Sequence, residues 1–323
     1  MGSESQKKVP IIDLTKEIER GSEEWNEVSK RVRESCEDYG CFEVIYDQIL
    51  SELREEFFSL TKGLFELPLE IKKKNTNPKV YMAYSPPNPV LPLLESFGIE
   101  DASNFDSIQG FAKLMYGDDD VAAQDHFCKI YSTLVKQLND LHQTIRNLIV
   151  DSYGLGKNSE TMATMATKTL LRTLKYKPSP PGENILGAYA HTDKPLCTIL
   201  GEDGSSGLEI ETKIDGEWIQ WLPSVPNSYI FIVGDPLMVW SNRRLHSVKH
   251  KVIMKGEKDR YSLASFLFPL DGTIIKPEEE LIDEDHPRVF KEFDIMDFLN
   301  FCYSSAESPS IDSDKQVYVF AGV

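Results

Sequence analysis

The sequence predicts an α+β protein with a mainly β core: a double-stranded β-helix (jelly roll) with an N-terminal helical region and a C-terminal helix. Apolar residues in the first half of the chain recur at helical spacing. From about residue 168 the chain instead consists of short β-rich runs separated by Gly, Pro and Asn. With 323 residues, 41% of them hydrophobic, the chain is long enough to bury a large core.

The first half of the chain is predicted to combine helices with two short strands. VPIIDL (residues 9–14) and GCFEVI (residues 40–45) are typical of strands. Apolar residues recur every three or four positions in three predicted helices, over residues 23–39, 47–65 and 121–153. Asp47 is expected to cap the second helix, and the GLG after the third is a terminator.

Residues 75–118 are predicted to form a loop region over the surface or a pocket mouth. This segment contains a GDDD run and prolines at positions 78, 86, 87, 89 and 92. Because proline fixes φ and lacks a backbone donor, such a density disfavours regular structure.

The second half of the chain reads as a series of strands. They are TLLRTLKY, LGAYAHTD, LCTIL, GLEIET, EWIQW, SYIFIV, MVWS, SVKHKVIM and YSLASFLF. This spacing implies an antiparallel sandwich or jelly roll. We therefore expect an N-terminal helical and strand region at residues 1–115, packing on a jelly-roll core at residues 116–323. That core would include the long support helix and a C-terminal lid helix near residues 294–303.

The composition limits the partners and the compartment. A formal net charge of −17 argues against nucleic-acid binding, because phosphate neutralisation needs clustered Lys and Arg. The five cysteines lack paired CxxC spacing and are too sparse for a disulfide scaffold. No segment holds 18 consecutive apolar residues. We expect a cytoplasmic monomer that acts on a small molecule, with no membrane or nucleic-acid partner.

AYAHTDKPLCTIL (residues 188–200) contains two candidate metal ligands in a strand-like run. His191 and Asp193 would share a strand face, because strand side chains alternate. His250 lies in another strand-like run, SVKHKV, which a jelly roll can bring opposite. Two imidazoles and a carboxylate form the facial triad that binds Fe(II). The HTD motif alone is common by chance and favours a polar interruption of a strand.

RYS, ten residues after His250, adds a second type of group. Arg260 and Ser262 would share one strand face. An Arg fork beside a hydroxyl suits a ligand carboxylate inside a barrel, where a bidentate pair is strongest. Without the His and Asp motif, a surface Arg at the barrel edge would be the better interpretation.

Motifs along nearly the whole chain also resemble those of a known family. They are HTD, SNRRLHSVKHKV and RYSLASF in the second half, and VPIIDL, YGCFEV and LFELPLEIKKK in the first. With them the chain resembles the plant 2-oxoglutarate- and Fe(II)-dependent dioxygenases. HTDK, KYKPSPP and EELIDEDHPRVFKEF resemble the AOP-like branch of that superfamily, whose members modify glucosinolate side chains.

The resemblance assigns roles to individual residues. It implies that His191, Asp193 and His250 bind Fe(II), and that Arg260 and Ser262 hold the distal carboxylate of 2-oxoglutarate. O2 would be the second co-substrate, and ascorbate is a candidate reductant.

Three further residues are interpreted through the same resemblance. Tyr176 is expected to contact the co-substrate, although residues 175–178 read KYKP where many relatives have Asn-Tyr-Tyr-Pro. His246 also follows SNRR, but the family pattern SVxH favours His250 as the ligand. Arg243 replaces a Gly and is expected to adjust a turn.

The substrate pocket is less clearly marked. Tyr189, on the same strand face as His191, and Phe266, near the end of the RYS strand, are candidate pocket walls. Residues 80–110 and the C-terminal helix, with the aromatic residues Phe298, Phe301 and Tyr303, are candidates for a substrate lid. An aromatic stripe on a helix is also typical of ordinary packing.

The expected reaction is oxidation of a small specialised plant metabolite, with succinate and CO2 as co-products. Hydroxylation is the first interpretation, and ring closure, desaturation or O-demethylation would use the same cofactors. An ascorbate-dependent oxidase of the same fold, a metal-binding jelly roll without redox activity and a non-catalytic ligand-binding module remain alternatives.

Overall fold

The computed structural model describes residues 8–156, 162–205, 207–306 and 311–323. The helices are α1 (Glu23–Asp38), α2 (Ser51–Glu66), α3 (Leu69–Lys72), α4 (Phe105–Tyr116), α5 (Val121–Ser152), α6 (Asp235–Trp240), α7 (Ile295–Ala306) and α8 (Gln316–Ala321). The strands are β1 (Ile11–Asp13), β2 (Cys41–Ile45), β3 (Leu94–Ile99), β4 (Thr167–Tyr176), β5 (Asn184–His191), β6 (Cys197–Glu202), β7 (Leu208–Glu211), β8 (Trp218–Gln220), β9 (Ser228–Val233), β10 (His250–Lys255), β11 (Arg260–Pro269), β12 (Ile274–Ile275) and β13 (Phe293–Asp294).

Two sheets form the core and confirm the predicted jelly roll. The major sheet has the order β1-β2-β9-β6-β11-β4-β3, and the minor sheet has the order β5-β10-β7-β8. An apolar cluster joins them, with Tyr176 and Ile232 from the major sheet and Leu208 and Val252 from the minor sheet. Gly187 lies in this interface, where a Cβ atom would come within 2.9 Å of the Tyr176 ring. The two sheets therefore pack face to face.

Strand β11 is an interior strand of the major sheet. It pairs antiparallel with β4 on one side and with β6 on the other. Arg260 lies opposite Tyr176, and Ser262 lies opposite Leu174 and Glu202. Because side chains alternate along a strand, these polar groups come together on the inner face of the sheet.

Helix α5 supports the outer face of the same sheet. Its buried residues, among them Phe127, Tyr131 and Leu138, belong to the largest apolar cluster, to which α1, α2 and α4 also contribute. His142 on α5 reaches the outer face of β11, where its Nε2 lies 3.1 Å from the Ser265 hydroxyl. Burial of each large apolar side chain contributes about 1.5–3 kcal/mol, so this packing holds β11 firmly.

The C-terminal helices form a separate apolar cluster. Phe298 on α7 is fully buried and packs with Phe293 and Phe320. Phe301 packs against Phe320 as well. These two aromatic residues therefore serve as packing, whereas Tyr303 on the same helix stacks on a different partner, described below.

Among the described residues, no helix combines the length and the hydropathy that a membrane-spanning helix needs.

Three local predictions were wrong. Residues 75–118 contain β3 and α4 in addition to loops, because the prolines end at position 92 and leave LESFGI free to pair with β4. MVWS forms the end of α6 and no strand, since Gly234 precedes a helix with Pro236 in its first turn. Asp47 does not cap α2, which begins at Ser51 with Leu50 at the N-cap position.

The turn after α6 agrees with the expectation for Arg243. Its φ is 72° and that of Asn242 is 50°, both in the left-handed region that favours glycine. The Asn242 side chain stabilises this turn by donating to the carbonyls of His286 and Pro287, both at 3.1 Å.

Candidate metal centre and co-substrate pocket

Strands β5 and β10, with the loop after β5, bring together three side chains that could hold a metal ion. His191 ends β5, and the antiparallel register pairs it directly with His250, the first residue of β10. Asp193 follows two residues after the end of β5. One ligand atom from each of the three residues lies within 4.8 Å of the others. Asp193 Oδ1 is 3.7 Å from the Nε2 atom of each histidine.

The sequence argument for this grouping was only partly right. His191 and His250 are strand residues, but Asp193 lies outside the strand, so alternation along β5 does not explain its position. The loop instead turns back and is fixed by hydrogen bonds. The Asp193 carbonyl accepts from the Asp235 backbone N–H at 2.8 Å, and the Thr198 hydroxyl donates to Asp193 Oδ2 at 2.5 Å.

Both imidazoles are oriented for ligation through Nε2. His191 Nδ1 lies 2.7 Å from the Tyr189 carbonyl, and His250 Nδ1 lies 3.3 Å from the Val248 carbonyl. Because a carbonyl only accepts hydrogen bonds, each Nδ1 carries the proton and each Nε2 presents a lone pair. Partial burial of His191 and the neighbouring His250 lower the pKa of His191 to about 4. His191 is therefore neutral near pH 7, as a metal ligand must be.

The donor set fits a divalent iron ion. Two imidazole nitrogens and one carboxylate on the same side of a site form the facial triad of non-haem Fe(II) oxygenases, with further positions open for other ligands. Thr198 supports the carboxylate and backbone carbonyls support both imidazoles, as is usual around metal ligands. His246 does not join this group and lies beside Gly40.

A buried ion pair holds the loop after Asp193. Lys194 Nζ donates to Asp235 Oδ2 at 2.6 Å and to the Ser313 carbonyl at 2.9 Å. Asp235 also accepts from Thr192 and Ser247. This network connects the metal loop to α6 and to the C-terminal segment, and sequence reasoning did not find it.

Arg260 and Ser262 lie together beyond the metal-binding residues, as the RYS motif suggested. Arg260 is fully buried, and its Nη1 lies 3.3 Å from the Ser262 hydroxyl. The Tyr176 ring covers the guanidinium at 4.9 Å from its centroid, an attractive cation–π contact. A Cβ atom at Gly207 would come within 3.2 Å of the Arg260 stem. The guanidinium is thus enclosed at a fixed position.

Sequence reasoning missed the partner of this guanidinium. Glu202, at the end of β6, accepts a hydrogen bond from Arg260 Nη2, and both side chains are almost fully buried. The Glu202 Oε2 atom and the Arg260 Nε atom have no hydrogen-bond partner among the described residues. The candidate carboxylate anchor is therefore already paired with a carboxylate of the protein itself.

The two proposed pocket walls occupy different environments. Tyr189 is 52% exposed, and its hydroxyl donates to the Val90 carbonyl at 3.4 Å. Tyr189 therefore lies at the protein surface and is not a core residue. Phe266 is partly buried on the inner face of β11, between Leu170 and Thr198 of the neighbouring strands.

Arg172 is a second cation on the inner face of the major sheet, and sequence reasoning did not single it out. It lies on β4, four residues before Tyr176 and therefore on the same strand face. Its guanidinium donates to the Tyr81 carbonyl and to the Ser96 hydroxyl. No carboxylate of the described residues lies within salt-bridge distance of it. Burial lowers the pKa of Arg172.

An aromatic pair covers the same side of the site. The rings of Tyr81 and Tyr303 stack with centroids 3.8 Å apart. The Tyr303 phenol interacts electrostatically with both Arg172 and Asp193. Tyr303 is the one aromatic residue of the predicted lid stripe on α7 that reaches this region.

Comparisons with known proteins agree with the site. Residues 167–269 match the model of the 2OG-Fe(II) oxygenase superfamily, and residues 9–101 match the model described as non-haem dioxygenase in morphine synthesis N-terminal. The fold, the donor set and these matches define the class of protein. The chain is an Fe(II)- and 2-oxoglutarate-dependent dioxygenase, an oxidoreductase that uses O2.

Individual relatives place the chain more closely. It is 38% identical to the probable 2-oxoglutarate-dependent dioxygenase AOP1 of Arabidopsis thaliana over 304 residues, covering 92% of this chain and 97% of the relative. The chain therefore belongs to the 2-oxoglutarate-dependent dioxygenase family that includes the AOP proteins. This confirms both the superfamily and the branch resemblance.

Solved structures show the same fold. The 2-oxoglutarate complex of the dioxygenase for auxin oxidation 1 from Arabidopsis thaliana has a TM-score of 0.76 and 30% identity, covering 87% of this chain and all of that chain. The rice dioxygenase for auxin oxidation has a TM-score of 0.80 and 26% identity, covering 98% of this chain and all of that chain.

Proposed function

We propose that this enzyme hydroxylates a C–H bond of a small specialised plant metabolite that carries an anionic group such as a carboxylate. The observation that carries the substrate class is the partly buried guanidinium of Arg172, which has no carboxylate partner among the described residues. The assignment to plant specialised metabolism rests on the similarity to the AOP proteins.

In this proposal His191, Asp193 and His250 hold the iron. When bound, the iron with O2 and 2-oxoglutarate supplies the oxidant, and succinate and CO2 are released. The protein residues keep two imidazoles and one carboxylate in place. Arg260 and Ser262, with Tyr176 against the guanidinium, bind the distal carboxylate of 2-oxoglutarate. Ascorbate would serve as an external reductant.

The anionic group of the substrate follows from the electrostatics of Arg172. A partly buried charge without a counter-ion is poorly solvated, and a ligand of opposite charge compensates for the lost solvation. The neighbours that accept from Arg172, the Tyr81 carbonyl and the Ser96 hydroxyl, are neutral. A planar guanidinium is also well suited to bind a carboxylate through two hydrogen bonds.

The position of Arg172 supports a role with the substrate and not with 2-oxoglutarate. In the β4–β11 pair, Arg260 lies opposite Tyr176, and Arg172 lies four residues before Tyr176 on β4. The two arginines are therefore separated by about 13 Å along the strand direction. Tyr303 links Arg172 to Asp193 electrostatically. An anion on Arg172 would therefore hold the rest of a small molecule near the metal.

Hydroxylation is the first choice among the reactions of this class. Ring closure, desaturation and O-demethylation use the same cofactors and differ in the pose of the substrate. No feature of the pocket favours one of these three specifically. We also propose that the protein acts as a cytoplasmic monomer. The five free cysteines, all of them buried, support a reducing compartment.

The test uses pairs of plant acids and their methyl esters. Fe(II)-loaded enzyme receives 2-oxoglutarate and O2, and both succinate and the oxidised product are measured by mass spectrometry. We expect turnover of an acid and at least tenfold less with its ester, as the loss of one charged hydrogen-bonded pair predicts. A product heavier by one oxygen atom identifies hydroxylation. Equal turnover of acids and esters would contradict the anionic substrate class.

Two variants separate the role of Arg172 from general effects. Arg172→Met should remove the preference for the acid. Lys168→Met is the matched control, because Lys168 lies on the same face of β4 but is paired with Glu100 and Asp271 at 2.9 Å. The control should retain the preference for the acid.

A further inference from the structure

The carboxylate of Glu202 is hydrogen-bonded to the Arg260 guanidinium, the group proposed to bind the co-substrate. Arg260 Nη2 donates to Glu202 Oε1, while Nη1 contacts the Ser262 hydroxyl. One side chain of the pair is 1% exposed and the other is fully buried. A dicarboxylate that binds Arg260 must therefore place a second carboxylate beside Glu202 in a site closed to water.

The charge balance around this pair is set by the ionisable groups that surround it. The ionisable groups that interact with Glu202 are Arg260 on β11, Arg54 on α2, Tyr176 on β4 and the adjacent Asp203. Arg54 directs its donors at the carbonyls of Glu202 and Pro226 and not at the Glu202 carboxylate. Arg54 attracts the Glu202 carboxylate and Asp203, itself paired with Lys62 at 3.4 Å, repels it. Among the described residues, Arg260 is the one cation that is hydrogen-bonded to this carboxylate.

Adding the distal carboxylate of 2-oxoglutarate changes that balance. Two buried carboxylates a few ångströms apart do not both stay ionised, and one of them takes a proton. Burial already raises the pKa of Glu202, against the opposite effect of Arg260. Glu202 Oε2, which has no partner among the described residues, would then become a hydrogen-bond donor.

We propose that Glu202 controls co-substrate binding: it takes up a proton from the solvent when the distal carboxylate of 2-oxoglutarate docks on Arg260 and Ser262. The protonated carboxyl donates through Oε2 to the incoming carboxylate, and Arg260 balances the single remaining charge. This inference rests on the proposed assignment of Arg260 as the 2-oxoglutarate site. Glu202 is a specificity residue and takes no part in the oxidation itself.

The direct test counts protons. Mn(II)-loaded enzyme is titrated calorimetrically with 2-oxoglutarate at pH 7 to 8.5, in buffers with different enthalpies of ionisation. We expect an uptake of about one proton per 2-oxoglutarate bound, with a dissociation constant that rises about tenfold for each pH unit. Glu202→Gln keeps the hydrogen-bond geometry and should bind without proton uptake and with little pH dependence.

Matched variants complete the experiment. Glu56→Gln removes the same charge from an exposed position on α2 and should behave as the wild type does. Glu202→Ala should lose affinity that Glu202→Gln retains, because only Gln can donate to the co-substrate. A structural role alone would affect both substitutions similarly in thermal unfolding and would leave the proton count unchanged.

The outcomes distinguish this inference from the proposed function. Tight binding without proton uptake in the wild type would overturn the role of Glu202 and leave Arg260 as the anchor. Failure of both the wild type and Glu202→Gln to bind 2-oxoglutarate at any pH would instead overturn the assignment of Arg260.

Discussion

Lys194 and Asp235 form an ion pair with 2.6 Å between Nζ and Oδ2, and their side chains are 12% and 0% exposed. The pair joins the loop that carries Asp193 to α6 and, through the Ser313 carbonyl, to the C-terminal segment. Its position suggests that the metal loop depends on a charge that does not itself bind metal.

Lys194→Met should destabilise the protein by about 3–5 kcal/mol, because it leaves the Asp235 carboxylate buried without a counter-ion. Urea unfolding measures this change. Lys249→Met is the control, since Lys249 pairs with Glu211 and Asp314 near the surface at 3.4 and 3.3 Å. Loss of those partly exposed pairs should cost at most about 1 kcal/mol, and a similar loss in both variants would argue against the role of the buried pair.

Thr198→Val should weaken metal binding by about 10–100-fold, as is typical when a hydrogen bond to a ligand is removed. The Thr198 hydroxyl donates to Asp193 Oδ2, the oxygen that does not approach the histidines. Competition with a fluorescent chelator for Mn(II) gives the affinity. Thr169→Val is the control, because Thr169 is also buried on the major sheet but bonds to Asn139. Unchanged affinity in Thr198→Val would contradict this role.

The double variant Arg260→Met with Glu202→Gln should fold, bind metal normally and raise the KM for 2-oxoglutarate at least about tenfold, through loss of a charge-assisted pair. The second substitution is needed because Arg260→Met alone would leave Glu202 buried and unpaired. Steady-state kinetics and Mn(II) affinity are compared with Glu202→Gln alone. Equal changes in metal affinity and KM would contradict the assignment of Arg260 to the co-substrate.

The buried His142 is expected to make the folded protein less stable in acid. Burial lowers the pKa of His142 to about 3, against 6.5 for the free side chain. Between these values the unfolded chain binds a proton that the folded protein does not. The contribution of His142 to stability is therefore complete above pH 6.5 and is lost progressively as the pH falls towards 3.

His142→Gln should reduce the loss of stability between pH 6.5 and pH 5 by about 2 kcal/mol, the effect of 1.5 pH units on one site. Urea unfolding at both pH values gives the difference. His191 and His246, whose pKa values are also lowered to about 4, contribute in the same range and remain in the variant. The exposed His126→Gln is the control, and an equal pH dependence of both variants would refute the role of His142.

The sequence predicted those residues of the candidate site that lie close to one another along the chain. His191 and Asp193 are two residues apart, as are Arg260 and Ser262, and the β-rich runs around them were recognisable. Glu202 was missed because its role depends on the register between β6 and β11, which places it opposite Ser262. No local pattern distinguishes it from Asp203, the acidic residue beside it.

Arg172 and the Lys194–Asp235 pair were missed for a related reason. TLLRTLKY identifies a strand, but whether Arg172 finds a carboxylate depends on residues from β3 and the turn before it. Lys194 meets Asp235 across 41 positions of sequence. The helix α6 was mistaken for a strand because MVWS is rich in β-forming residues, whereas Gly234 and Pro236 determine its backbone.

The N-terminal strands form both edges of the major sheet. Strands β1 and β2 flank β9 at one side, and β3 flanks β4 at the other, so residues from the first hundred positions close both sides. A fragment that begins at residue 116 would present two bare strand borders, which invite pairing with other chains. We therefore expect the stretch that matches the oxygenase superfamily, residues 167–269, to need the N-terminal strands in order to fold as it does here.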